Sequence, residues 1–337
     1  MLDYSVIVLY NYKYSWLKDL IMSSNVPLSV IIPHWQNAND LERLLDSIPS
    51  DQNYEVIVID DYSEEKCYKA VQALQNKHNF ILLRNTEKKS AGTCRNIGLA
   101  LARGKWVLFA DSDDFFLESL TKEILHFIDS DYDIVFFPPK GVFSDTLEEC
   151  NRAKSHADKL FKFIENPSRE NEYALRFTWN CPWSKLYRRN FLISNTINFE
   201  ELIAANDVRF STESGIKAQK IGVSEISIYC ATVRKGSLEN KITKQIILDR
   251  IKANLDHLKI CKKYGYKKID INSSIKYLSR IRYLPLNEWL PLIKKANKMG
   301  AFKTIDLYKF LIDSLKYLYR ILFSNEHKQL NDYIVSA

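Results

Sequence analysis

The sequence predicts an α/β protein with a mostly parallel central sheet flanked by helices, followed by a helical extension. Two observations point there. Short, continuous apolar runs alternate with amphipathic stretches over the first 140 residues, and from Lys241 onward the pattern is helical throughout, with no internal repeat or low-complexity linker. Strands without polar alternation are buried on both faces, which requires helices above and below the sheet. A chain of 337 residues accommodates one large domain with an appendage.

The elements read in order as follows. Leu28–Ile32 is a strand ended by Pro33. Leu41, Leu44, Leu45 and Ile48 recur at helical spacing after Asn39 and Asp40, good capping types. Val56–Ile59 is a second strand, closing in Asp60-Asp61, and a helix follows over 64–77. Phe80–Leu83 is a third strand. Residues 93–102 form a helix with Gly104 just past its end, the usual place for a helix-ending glycine. Trp106–Ala110 is the fourth strand, Leu117 to Phe127 a helix, and Ile134–Phe137 a fifth strand stopped by Pro138-Pro139. Residues 145–172 are polar, a mixture of helix and loop. Trp183–Tyr187 reads as a strand, 189–194 as a helix, the stretch opened by Asn206-Asp207 as an amphipathic helix, and Ile221–Tyr229 as a strand.

The chemistry concentrates where the fourth strand ends. Asp111, Asp113 and Asp114 place three carboxylates within four residues. Hard divalent cations such as Mg²⁺ and Mn²⁺ take one or two carboxylates and fill their shell with substrate phosphates. Ligands of open α/β sheets gather beyond the carboxyl ends of strands. The same residues also suit a solvated turn leading into the next helix. Right-handed crossovers place the ends of the first, second and fourth strands on one rim. That rim then carries Pro33-His34-Trp35, Asp60-Asp61 and Asp111-Ser112-Asp113, and this convergence favours a metal–nucleotide site over a turn.

Composition excludes several classes. No apolar run is long enough to span a bilayer. Val6–Tyr10 is too short, and lacks the basic flank, for a signal peptide. Residues 1–26 read either as a variable leader or as an extra strand. The six cysteines are scattered, with no Cys-x-x-Cys and no His pair at ligand spacing, which fits a reducing cytoplasm and disfavours structural zinc. No Gly-x-Gly-x-x-Gly follows the first strand and no P-loop is present. Net charge is +7, but residues 236–337 hold 20 Lys and Arg against 9 Asp and Glu, so the rest of the chain is acidic. A basic tail suits an acidic partner; without a nucleic-acid-binding motif, nucleic acid is not that partner.

Taken in order, Ser29–Trp35, Val58–Ser63, Ala91–Gly98, Gly104–Asp114, Trp183–Leu192 and Asn206–Phe210 resemble the family 2 glycosyltransferases of the GT-A fold, of the bacterial surface-polysaccharide type. The resemblance implies a catalytic domain over 27–237, with a nucleotide-binding half (27–140) and an acceptor half (141–237), and a basic helical region over 238–337. It implies inverting transfer of a sugar from a nucleotide-diphosphate donor, with a UDP-sugar the expected one, to a saccharide or lipid-linked saccharide. On this reading Asp113 and Asp111 are the Mn²⁺ or Mg²⁺ ligands. Pro33, Trp35, Asp61, Arg95, Asp111 and Ser112 meet the nucleotide-sugar, and Asp207 is the catalytic base. Trp183 and Arg234 are candidate acceptor or diphosphate contacts. Three residues depart from the familiar pattern: Trp35 stands for Tyr, Gln36 for Asn, and Asn206 for the Glu of a Glu-Asp pair. That last change is the feature favouring the alternative, a non-catalytic sugar-nucleotide-binding or assembly subunit. Arg95 suits either a phosphate or a bridge to Asp61 or Asp111, and His34 reads as packing. Trp179 and Trp183 read as acceptor-lining or core aromatics, with at least one in the core. In the tail, residues 303–323 form a helix with a wide apolar face and a charged stripe. It must pack on the catalytic domain or a partner subunit, or lie on anionic lipid at the inner face of the cell membrane.

Overall fold

The computed structural model describes residues 26–233, 243–265 and 284–298. Apolar runs become strands where expected. β1 (Leu28–His34), α1 (Ala38–Asp46), β2 (Tyr54–Asp60), α2 (Glu65–Leu74), β3 (Ile81–Arg84), α3 (Ala91–Leu101) and β4 (Trp106–Phe109) alternate in sequence. Then come β5 (Phe115–Phe116), α4 (Leu120–Phe127), β6 (Ile134–Phe136), β7 (Lys140–Phe143), α5 (Lys154–Glu165), α6 (Arg169–Thr178), β8 (Lys185–Arg188) and α7 (Arg189–Ser194). The described chain ends with α8 (Val208–Lys217), β9 (Ile221–Val223), β10 (Tyr229–Val233), α9 (Lys244–Lys263) and α10 (Leu286–Lys298).

Seven strands form the main sheet in the order β3-β2-β1-β4-β8-β6-β9. β1 pairs in parallel with both β2 and β4, and β8 alone runs against its neighbours. All seven residues of β1 are buried, as a central strand covered on both faces requires. A smaller sheet, β5-β10-β7, stands beside it. One continuous apolar core runs from β1 through β6 and β8 to α8, while α9 and α10 close a second, smaller cluster around Ile251, Leu255 and Leu292.

Three expectations are corrected. The first helix is capped by Asn37, whose side chain accepts from the Asp40 N–H; Asp40 falls inside the first turn. Ile221–Tyr229 is not one strand. The Ser224 N–H donates to the Phe136 carbonyl, its Oγ donates to Glu123 (2.7 Å), and the Ile226 N–H donates back to that Oγ. This turn sends the chain out of the main sheet as β9 and into the small sheet as β10. Trp183 lies two residues before β8, at the end of a loop. The helical tail at 303–323 falls outside the described residues.

Gly104 is required for a reason other than a left-handed cap. The residue after α3, Ala102, is extended (φ −58°, ψ 136°). A Cβ on Gly104 would lie 2.4 Å from the Ser29 nitrogen and 2.7 Å from the Trp106 carbonyl oxygen, both backbone atoms that cannot swing aside. The glycine N–H also donates to Ser29 Oγ (2.8 Å), which donates in turn to buried Glu55 (2.5 Å). Gly104→Ala should therefore cost roughly 1–3 kcal/mol through overpacking, read as a lower urea midpoint at unchanged m-value.

Candidate active site

The rim at the ends of β1 and β2 is built by a buried polar knot. His34 Nδ1 lies 2.9 Å from Asp60 Oδ1, both side chains fully buried. The Asn37 N–H donates to His34 Nε2 (3.3 Å), which fixes the neutral tautomer with the proton on Nδ1. Ser63 donates to Asp60 through both its hydroxyl (2.5 Å) and its N–H (2.9 Å), and Ser63 Oγ accepts the Gln36 N–H. Burial works to raise the Asp60 carboxyl, yet these hydrogen bonds outweigh it and hold it below its ordinary value. The serine faces the aspartate and not the histidine, so this is a brace and not a nucleophile–base pair. It fixes the chain at the ends of β1 and β2, where Gln36 and Tyr62 adopt left-handed φ of 59° and 63°. Such positions cluster where function constrains the backbone.

On this brace Pro33 is buried and Trp35 is 41% exposed, with the Lys88 ammonium over its ring. Asp61 follows β2, and its Oδ1 accepts from Asn85 Nδ2 and the Lys89 N–H, both at 2.9 Å. Asp61 and Asp111 thus end strands on either side of β1, about 10 Å apart by ordinary strand spacing.

The acidic loop after β4 is locked from the small sheet. Tyr229 OH donates to Asp114 Oδ2 (2.6 Å) and accepts the Asp111 N–H (3.0 Å). The Thr232 N–H donates to Asp114 Oδ1, while Thr232 Oγ1 and Arg43 Nη2 both donate to the Asp113 carbonyl. Burial, helped by the charges of Asp113 and Asp111, pushes the Asp114 carboxyl well above its usual range. Asp114 is therefore the anchor of the loop, while Asp111, Ser112 and Asp113 remain half-buried. The sequence showed three carboxylates without showing which one was structural.

Asp111 and Asp113 offer oxygen donors of the kind Mg²⁺ and Mn²⁺ prefer. Among the described residues, no third His, Cys, Asp or Glu atom joins them within 4.8 Å; the one such triple is Glu42, Asp46 and His78, and Lys77 is ion-paired to both of its carboxylates. Two half-buried carboxylates fit an ion that draws its remaining ligands from phosphate and water.

Arg95 joins this loop to the segment carrying Asp207. Its side chain is 6% exposed; Nη2 meets Asp111 Oδ1 at 2.5 Å, and Nη1 donates to Asn206 Oδ1 at 3.0 Å. Of the two roles the sequence allowed, the bridge is formed, and it reaches Asp111, not Asp61. Gly92, one turn earlier on α3, makes the approach feasible: a Cβ there would lie 2.3 Å from the Glu200 carbonyl. Asp207 begins α8 and is half-buried by surface area. Burial nonetheless pushes its carboxyl up to about 6, with Asp111 adding to the effect and Arg95 and Lys185 opposing it.

Trp183 is buried, stacked on Tyr229 (5.6 Å between centroids, 12°) and edge-on to His156. Trp179 is fully buried against Phe136 and His156, the core role expected of at least one tryptophan. Lys185 escaped the sequence reading. It is 1% exposed and donates to the Trp179 carbonyl (2.8 Å), and burial pulls its ammonium down to about 7 against the opposing effects of Cys181 and Asp207. Its only signal was a lysine inside an apolar strand. Arg234 lies outside the described residues.

The match to known proteins follows this architecture. Residues 29–194 match the glycosyl transferase family 2 profile, and this segment belongs to that family. The poly(ribitol-phosphate) beta-N-acetylglucosaminyltransferase TarS of Staphylococcus aureus is 30% identical over 216 residues, 62% of this chain and 36% of TarS. A poly(ribitol-phosphate) beta-glucosyltransferase of Bacillus spizizenii is 25% identical over 221 residues, 62% of this chain and 32% of the relative. The chain thus spans about a third of the length of these two relatives. The crystal structure of S. aureus TarS 1–349 in complex with UDP-GlcNAc superimposes with a TM-score of 0.54 at 23% identity, covering 83% of this chain and 89% of that one. The fold is GT-A. Asp207 lies beyond the family match, so its place in the site rests on the Arg95–Asn206 contact. No described helix is long and apolar enough to cross a membrane.

The raised Asp207 carboxyl has a stability consequence. Its folded value, about 6, exceeds the unfolded value of about 3.9. The penalty for ionising it in the fold therefore grows as pH rises between these values, and is complete above the folded one. Asp207→Asn should raise the melting temperature of the ligand-free protein by a few degrees at pH 7.5, and by little or nothing at pH 4, as followed by circular dichroism.

Proposed function

We propose that the protein is an inverting glycosyltransferase. It moves a sugar from a UDP-sugar, a hexose or N-acetylhexosamine donor, to a saccharide or lipid-linked saccharide in bacterial surface-polysaccharide synthesis. The observation that carries this is the single rim on which Asp61, Asp111, Asp113 and Asp207 are assembled, with buried Arg95 tying the last strand end to the base segment. The UDP-GlcNAc bound by TarS supports the donor class. The poly(ribitol-phosphate) transferases among the relatives support the polysaccharide setting.

In this reading Asp61, held through Oδ1, presents a carboxylate to the uracil imide N–H, and Trp35 packs on the base. Asp113 and Asp111 would hold a Mg²⁺ or Mn²⁺ ion, which would supply positive charge for the diphosphate leaving group. Asp207 accepts the proton of the acceptor hydroxyl. That oxygen bonds to the sugar C1 from the face opposite the diphosphate, and the C1–O bond to UDP breaks with its electron pair on phosphate. A carboxyl near 6 suits this task, being ionised at neutral pH yet more basic than a solvated aspartate. Asn206 leans toward the non-catalytic alternative only if the lost Glu is essential; its amide oxygen still engages Arg95 and so preserves the geometry. The basic balance of residues 236–337 suits peripheral contact with an anionic membrane surface in the cytoplasm.

UDP-sugar turnover with and without Mn²⁺ tests the reading. Asp113→Ala should lose both transfer and Mn²⁺-dependent UDP binding. Asp207→Asn should keep UDP binding within about twofold and lose transfer by roughly 10²–10⁴-fold; near-normal transfer would remove Asp207 as the base.

The pH profile provides a separate check. The base works deprotonated, so kcat/KM should fall tenfold per pH unit below an acid limb near pH 6. A flat profile down to pH 5 contradicts the assignment.

A further inference from the structure

We propose that Asp249, on α9, is a positioning residue for Asp207: its buried carboxylate holds the 200–206 loop that carries the base to the acceptor side of the cleft. The inference rests on the reading of Asp207 as base.

Asp249 is 3% exposed. One of its oxygens accepts the Ile203 N–H (2.9 Å) and the Ala204 N–H (3.4 Å), and the other accepts from Gln245 Nε2 (2.6 Å). A carboxylate taken out of water needs such donors, and here they are the backbone of the loop immediately before Asn206-Asp207. That loop is not relaxed. Ala205 has φ +58°, a left-handed conformation that costs a residue with a Cβ about 1–2 kcal/mol. It persists because bonds on both sides impose it. The Glu200 N–H donates to the Asn206 carbonyl, Asn206 Nδ2 donates to the Leu202 carbonyl, and Asn206 Oδ1 takes Arg95. Arg95 thus grips the loop from the donor side and Asp249 from the other, with Asp207 immediately after.

The rest of that face of α9 acts in the same direction. Lys252 is ion-paired to Glu200 at the loop's start, and His257 Nδ1 lies 2.7 Å from Thr212 Oγ1 on α8. Through Asp249, Lys252 and His257, α9 thus meets the loop and α8 at three points. None of them lies in the residues matched by the family profile, which stop at 194.

The test compares variants of the full chain by steady-state kinetics and UDP titration. Asp249→Ala should lower kcat tenfold or more while donor KM and UDP affinity change less than twofold, because the donor site stands on β1, β2 and β4. Asp249→Asn keeps an acceptor oxygen for the loop N–H groups and should recover most of kcat. Should Asp249→Ala not fold, Gln245→Ala, at an exposed position, reads the same axis, with a two- to fivefold loss of kcat at constant donor KM. An unchanged kcat in Asp249→Ala or, where that does not fold, in Gln245→Ala overturns the proposal. So does a parallel loss of kcat and UDP affinity without recovery in Asp249→Asn. Active Asp207→Asn protein would instead bring down the assignment of the base, whatever the Asp249 variants do.

Discussion

One buried guanidinium organises the site. Arg95 sits on α3, packed across β1 and β2, and spends its two terminal nitrogens on Asp111 and Asn206. Those residues are 95 positions apart in sequence. A guanidinium is suited to this because its planar fork fixes two acceptors at once. The Asp111 side chain is 34% exposed, so water screens part of this ion pair, and the contact acts chiefly by tying the acidic loop to the segment before Asp207.

The small sheet does for the acidic loop what Arg95 does for the segment before Asp207. Asp114 is buried, its carboxyl raised, and it is tied to Tyr229 and Thr232 on β10. It draws the loop down so that Asp111 and Asp113 stay accessible. Three carboxylates within four residues thus divide into one buried anchor and two half-buried oxygen donors, separated by burial and by the bonds to Tyr229 and Thr232. The stacking of Trp183 on Tyr229 extends the same layer toward Trp179 and Lys185, so that a lysine without solvent lies beneath the loop before β8.

The sheet was legible because β1, β2, β4 and β6 are continuous runs of Val, Ile, Leu and Phe, and α7 was legible to the residue. The points where the structure departs from these expectations turn on polar side-chain bonds, some local and some between distant residues. Asn37 caps α1 in place of the later candidates because its side chain reaches the Asp40 N–H. Ser224 breaks an apolar run because its hydroxyl bonds to Glu123, about a hundred residues away. The His34–Asp60–Ser63 brace was invisible as a unit, since its members belong to two strand ends and look like packing, a strand stop and a turn residue.

Hydrophobic periodicity by itself determined the α/β architecture, the strand ends that face one rim, and the acidic residues available there, because a period of two or 3.6 is a local property of the chain. Tertiary structure alone decided which carboxylate is the buried anchor, that Arg95 bridges to Asp111, and that Asn206 and Asp249 hold the loop before Asp207. Hydrogen bonds and burial between residues tens to a hundred positions apart set these roles, and no local pattern in the sequence encodes such distances.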